Sequence, residues 1–118
     1  MLELVGLKNC DSCRSARKWL DSKSIAYRFR DIRQSPPSIQ ELKAWLSSVG
    51  SERLVNRRST TWRQLDDTDR AKTNGAQAAV VLRANPTLIK RPVIINGTKI
   101  TVGFDTAAKK TWQGSTSQ

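Results

Sequence analysis

Apolar and polar positions follow three different patterns along the first third of the chain. Residues 2–6 form a short, mostly apolar run, which predicts a strand. Apolar positions then recur at helical spacing from about residue 11 to residue 22, which predicts a helix. The positions at this helical spacing are Cys13, Ala16, Trp19 and Leu20. Strict alternation over residues 25–32 predicts a second strand, so the order indicates two parallel strands joined by a right-handed crossover.

The middle of the chain predicts helices. Ser38, which follows two prolines, and Glu41 have the spacing of a capping box, so a helix is expected to begin there and to end at Gly50. Residues 52–73 are polar and irregular, and they predict short helical turns at best. A compact apolar helix is expected over residues 76–84, before Asn-Pro stops it.

The last part of the chain predicts a hairpin and a helix. Two strand-like runs flank Asn96-Gly97, the residue pair that favours a two-residue hairpin turn because both positions reach positive φ. Asp105 is expected to cap a final helix through Trp112. These patterns predict an α/β fold with a four-stranded mixed sheet, built from a βαβ unit and a C-terminal β-hairpin. We expect one domain over residues 1–113, with a helical insertion at about 38–89 and a flexible tail at 114–118.

Composition and charge narrow the class of protein. The chain has 118 residues, 37% of them hydrophobic, and its formal net charge of +11 should attract anionic partners. The basic residues are spread along the chain, which argues against direct nucleic-acid binding. No run of 18 apolar residues and no signal-peptide pattern is present, so we expect no membrane association and a cytoplasmic location.

The only two cysteines, Cys10 and Cys13, follow the first predicted strand and open the first predicted helix. This context is typical of the redox site of a thioredoxin-like protein. Cys10 would lie at the positive end of the helix dipole, which lowers a thiol pKa, and Cys13 would lie deeper and act as the resolving thiol. Two alternatives remain at this stage. The pair could pack as small apolar side chains, or it could bind zinc, although the chain has no histidine and no second cysteine pair to complete four ligands.

Arginines supply the second part of the candidate chemistry. Arg91 precedes Pro92, which cannot donate a sheet hydrogen bond and therefore belongs at a strand start, where a cis bond is one option. Arg91 could equally be a solvated strand-end residue, and the pair Arg57-Arg58 lies in the irregular region. An arginine that faced the thiolate would bind an oxyanion or a glutathione carboxylate.

Four segments together resemble the arsenate reductase-like (ArsC) family, which includes the Spx and YffB proteins. They are residues 6–11, 54–62, 89–92 and 102–104, and the resemblance spans about residues 2–112. The first two segments are most similar to the YffB branch.

The resemblance implies a thioredoxin-like fold with an inserted helical region, with Cys10 as the nucleophile and a cis peptide before Pro92. It also implies an anion pocket with Arg91 and one of Arg57 or Arg58, of which we favour Arg58. We assign Asn9 to the same site.

Two functions follow from this resemblance. The first is a thiol-dependent reductase with no bound cofactor or metal, in which glutathione is the co-substrate and Cys13 or glutathione resolves the intermediate. A thiol–disulfide protein could take the place of glutathione as its partner. Residues 101–104 lack the third arginine of glutaredoxin-linked arsenate reductases, which weighs against arsenate as the substrate. The second is an Spx-like regulator that binds the RNA polymerase α subunit through a Cys10–Cys13 disulfide switch.

Overall fold

The computed structural model describes residues 1–114. Residues 1–114 form four strands, seven α-helices and a short 3-10 helix at Pro86–Leu88, and the elements that were predicted occur in the predicted order. The strands are β1 (Leu2–Gly6), β2 (Tyr27–Asp31), β3 (Val93–Asn96) and β4 (Lys99–Val102). The helices are α1 (Asp11–Ser22), α2 (Ile39–Val49), α3 (Ser51–Leu54), α4 (Thr60–Gln64), α5 (Asp67–Lys72), α6 (Ala78–Ala84) and α7 (Thr106–Trp112).

The strands form one mixed sheet in the order β2-β1-β3-β4. Strand β1 pairs in parallel with β2, and antiparallel with β3. The hairpin β3–β4 turns through Gly97 and Thr98, since Asn96 still belongs to β3 and pairs with Lys99. Positive φ was expected at both Asn96 and Gly97, but of these two residues Gly97 alone has it, at 63°. The predicted α/β fold class, with a four-stranded mixed sheet, is therefore confirmed.

One face of the sheet carries the main hydrophobic core of this part of the molecule. Because side chains alternate along a strand, Leu2 and Leu4 of β1 lie on the same face as Ile94 of β3. Helix α1 contributes Leu20 to this core, and helix α7 contributes Trp112, which is fully buried. The indole N–H of Trp112 donates a hydrogen bond of 2.8 Å to the Thr101 hydroxyl, so its polar atom is satisfied in the core. The core fixes α1, and with it the cysteine motif, against the sheet.

The chain divides into two compact units. The first contains the sheet, α1 and α7, and comprises residues 1–34 and the segment from residue 91 onward. The second is the helical segment Ser35–Lys90. Within it, the Lys90 N–H donates to the Leu54 carbonyl at 2.8 Å, and the Asn56 N–H donates to the Leu88 carbonyl at 2.8 Å.

The second unit shows where the sequence pattern was incomplete. The predicted capping box of α2 is present, since Ser38 and Glu41 exchange hydrogen bonds between side chain and backbone. Three short helices, α3, α4 and α5, occupy most of the region expected to be irregular. The predicted tail at 114–118 lies outside the described residues except for Gly114. Among the described residues, no helix is long and apolar enough to cross a membrane.

Candidate active site

Cys10 lies in the link between β1 and α1. A tight turn closes where the Cys10 N–H donates to the Leu7 carbonyl at 3.3 Å. Cys10 then occupies the N-cap position of α1 in an extended conformation, and its carbonyl accepts the first helical hydrogen bond, from the Arg14 N–H at 2.9 Å. Its side chain is half-buried, so the sulfur remains partly accessible at the positive end of the helix.

Cys13 lies in the first turn of the same helix, with its side chain fully buried. Both cysteines are free thiols in the structure. The predicted arrangement of a more exposed first cysteine and a deeper second cysteine is therefore present, while no disulfide joins them.

The pKa of the Cys10 thiol lies below its ordinary value of 9.0. Partial burial of the sulfur opposes this decrease, because desolvation disfavours the thiolate. The backbone N–H and the thiol of Cys13, together with the Arg91 guanidinium, favour the thiolate and outweigh the effect of burial. Three groups from two parts of the chain therefore stabilise negative charge on one sulfur.

The Cys13 thiol is affected in the opposite direction. Its burial raises the pKa from 9.0 to about 12, against the hydrogen bond from the Leu7 backbone N–H and the charge of Arg91, which lower it. The neighbouring Cys10 thiolate adds to the increase, because two adjacent negative charges repel each other. Of the two thiols, Cys10 is therefore the first to lose its proton, while Cys13 keeps its own.

Arg91 brings the start of β3 to the cysteine motif. The Arg91–Pro92 peptide bond is cis, as the family resemblance implied. Pro92 is buried, and its carbonyl accepts a hydrogen bond of 2.9 Å from the Gly103 N–H. Arg91 is half-buried and donates to the Cys10 sulfur. Of the two interpretations left open by the sequence, the structure favours an arginine that faces the thiolate.

The structure places the remaining predicted site residues as follows. Asn9 is exposed in the turn before Cys10. Arg57 and Arg58 belong to the second unit. There, the Arg57 guanidinium donates to the Asn74 side chain at 2.8 Å and lies 5.5 Å from the centre of the Trp62 ring. The Arg58 side chain is exposed.

Two other cations on α1 have different partners. Arg14 forms an ion pair with Asp11, one helical turn earlier. Arg17 stacks over the Phe29 ring, 5.0 Å from its centre, and its Nε lies 3.4 Å from the Tyr27 hydroxyl. The cation that acts on Cys10 is therefore the distant residue Arg91 and not one of these neighbours in sequence.

Sequence reasoning missed Gly6. A side chain at this position would overlap Sγ of Cys13, so the glycine is part of the surroundings of the cysteine pair. A glycine inside a strand is the general signal for such a close approach. Among residues 1–114, no group of three or more His, Cys, Asp or Glu side chains could hold a metal ion.

Comparisons with known proteins give consistent results. The model of the ArsC family matches residues 5–111. An uncharacterised protein of Haemophilus influenzae is 39% identical over 105 residues, which cover 89% of this chain and 92% of that protein. The global transcriptional regulator Spx of Enterococcus faecalis is 35% identical over 108 residues, which cover 89% of this chain and 80% of Spx.

Solved structures agree with these sequence relatives. The structure of a YFFB protein superimposes with a TM-score of 0.86 at 35% identity, covering 93% of this chain and 96% of that chain. An ArsC-related protein from Brucella melitensis gives a TM-score of 0.73 at 34% identity, covering 96% and 94% of the two chains. The fold of this chain is therefore the one found in YFFB and ArsC-related proteins.

Proposed function

We propose, from the premise that the chain belongs to the ArsC family and to its Spx/YffB branch, that this protein is a thiol–disulfide oxidoreductase with Cys10 as its nucleophile. The observation that carries the proposal is the asymmetry of the cysteine pair. A half-buried sulfur with a lowered pKa lies beside a buried thiol with a raised pKa. Such an asymmetry suits a nucleophilic thiolate next to a resolving thiol.

The first step would be attack of the Cys10 thiolate on one sulfur of a substrate disulfide. The substrate S–S bond breaks, a new S–S bond forms to Cys10, and the second substrate sulfur leaves as a thiolate that takes a proton from water. Because the chain has no histidine, activation would come from the lowered pKa of Cys10. Arg91 would stabilise the negative charge before attack.

The second step would be attack by another thiolate on the Cys10 sulfur. If Cys13 attacks, the products are the Cys10–Cys13 disulfide and a released substrate thiol. Two glutathione molecules would then reduce that disulfide and become one glutathione disulfide. Once Cys10 is in a mixed disulfide its negative charge is gone, which removes one of the causes that raise the pKa of Cys13. Glutathione could also attack the mixed disulfide directly, and Arg58 or Arg57 and Asn9 are the residues we propose for binding its carboxylates.

The test is reduction of a small disulfide by the purified protein with glutathione as the reductant. We expect turnover that Cys10→Ser abolishes. Cys13→Ser should retain turnover only where glutathione resolves the mixed disulfide, and with a disulfide substrate alone it should accumulate the mixed disulfide. Absence of turnover by the wild-type protein with glutathione and with a dithiol protein reductant would contradict the proposed activity.

The similarity to Spx proteins favours a second candidate function. Several global transcriptional regulators named Spx are 32–35% identical over 108 residues. In this case, a Cys10–Cys13 disulfide would control binding to the RNA polymerase α subunit. Oxidation-dependent binding of the purified α subunit, lost in Cys13→Ser and without disulfide turnover, would favour the regulator over the enzyme.

A further inference from the structure

Gly6 ends β1, directly below the turn that carries Cys10. The residue is buried and pairs with Asp31 of β2, and its carbonyl accepts a hydrogen bond of 2.9 Å from the Ile32 N–H. Gly6 is not among the residues with positive φ. Its backbone conformation is therefore open to any residue, so the need for glycine must come from the space around its Cα.

That space is occupied by the sulfur of Cys13. A Cβ built on Gly6 would overlap Sγ of Cys13. The next nearest atoms would be Cβ of Cys13 at 3.5 Å and Cδ2 of Leu4 at 3.6 Å, both of which are ordinary contacts. A single atom, the Cys13 sulfur, therefore occupies the space that a side chain at position 6 would need.

Few other positions are available to the Cys13 sulfur. Its Cα is fixed in the first turn of α1, and the side chain is fully buried, so the sulfur can move only by rotating about one bond to another staggered position. Any such rotation would change its position relative to Cys10 and to the Leu7 N–H that faces it.

We propose that Gly6 is a positioning residue for the cysteine pair, because its lack of a side chain leaves the space in which the Cys13 sulfur lies against β1 and beside Cys10. The inference rests on the proposed function only in taking Cys10 as the reactive thiol. The groups that face Cys10 are the backbone N–H and thiol of Cys13 and the Arg91 guanidinium, so moving the Cys13 sulfur removes one of three stabilising groups.

The experiment measures ionisation of Cys10 in Gly6→Ala by ultraviolet thiolate absorbance as a function of pH. The same titration is performed on Cys13→Ala and on Gly6→Ala/Cys13→Ala. Since a hydrogen bond to a charged group is involved, we expect Gly6→Ala to weaken ionisation of Cys10 about tenfold in the wild-type background. In the Cys13→Ala background the same substitution should have no effect. Gly75→Ala is the matched control, because a Cβ there would meet nothing within 4 Å.

Three outcomes would overturn the inference. Gly6→Ala could leave Cys10 ionisation unchanged, or it could shift ionisation equally with and without the Cys13 sulfur. If Gly6→Ala fails to fold, Gly6→Ala/Cys13→Ala should fold, since it removes the overlapping atom, and failure of both would show that Gly6 serves another purpose. The titration needs no substrate, so these results are independent of whether the wild-type protein reduces disulfides.

Discussion

Replacement of Arg91 by methionine should raise the pKa of the Cys10 thiol. The substitution keeps most of the apolar length of the side chain and removes its charge and its N–H donors. Arg91 acts on Cys10 both through a hydrogen bond and through its charge. A hydrogen bond to a charged group contributes about 1.5–3 kcal/mol, and about 1.4 kcal/mol corresponds to a tenfold change in an equilibrium constant. We therefore expect at least a tenfold weaker ionisation of Cys10 in Arg91→Met.

The assay should follow the thiolate directly. A more basic thiolate is also more nucleophilic. At a pH below the Cys10 pKa of both the wild-type protein and the variant, the alkylation rate would therefore fall only about threefold for a tenfold loss of thiolate. Titration of the ultraviolet thiolate absorbance avoids this compensation. Arg91→Lys should give an intermediate result, since lysine keeps the charge without the planar fork of donors.

Arg14→Met is the matched control. Arg14 is also close to the cysteine motif, but it is exposed and forms an ion pair with Asp11. We expect its removal to leave ionisation of Cys10 nearly unchanged. The reasoning would be refuted if Arg91→Met titrated like the wild-type protein, or if Arg14→Met weakened ionisation as strongly as Arg91→Met.

Other predictions concern stability and are checked by urea unfolding. Because the pKa of Cys13 is raised in the folded state, the reduced protein should lose stability as the pH rises from about 9, where an unfolded thiol ionises, toward about 12. Cys13→Ala should lose less stability over this range, and equal losses would contradict the burial of Cys13. Thr101→Val removes the hydroxyl bound by Trp112 and should cost about 1–2 kcal/mol, whereas no loss would show that the indole N–H finds another partner. Ser38→Ala removes the N-cap of α2 and should cost about 1 kcal/mol, and an unchanged midpoint would count against the capping box.

Much of the fold could be predicted because local patterns and tertiary packing agree. The run at residues 2–6 and the helical spacing of residues 11–22 gave the observed bounds of β1 and α1. The short helices α4 and α5 could not be found from apolar spacing, since none of their residues is buried. Their N-caps, Ser59 and Asp66, were readable signals, but a cap without an apolar stripe does not distinguish a helix from a turn.

The site was predictable to the extent that it depends on sequence spacing. The spacing of Cys10 and Cys13 placed one thiol at the helix N-terminus and the other inside the first turn. The contribution of Arg91 depends on how β3 joins the sheet beside β1, which no local pattern specifies. Gly6 was missed because its contact with Cys13 depends on the rotation of α1 over the strand, which only packing determines.

The most direct test of the account is the separate titration of the two cysteines in the reduced wild-type protein, by NMR of isotope-labelled cysteine side chains. The account predicts that Cys10 ionises below the ordinary thiol value of 9.0, while Cys13 stays protonated until the pH approaches about 12. Ionisation of Cys13 before Cys10, or of Cys10 at or above the ordinary value, would contradict it.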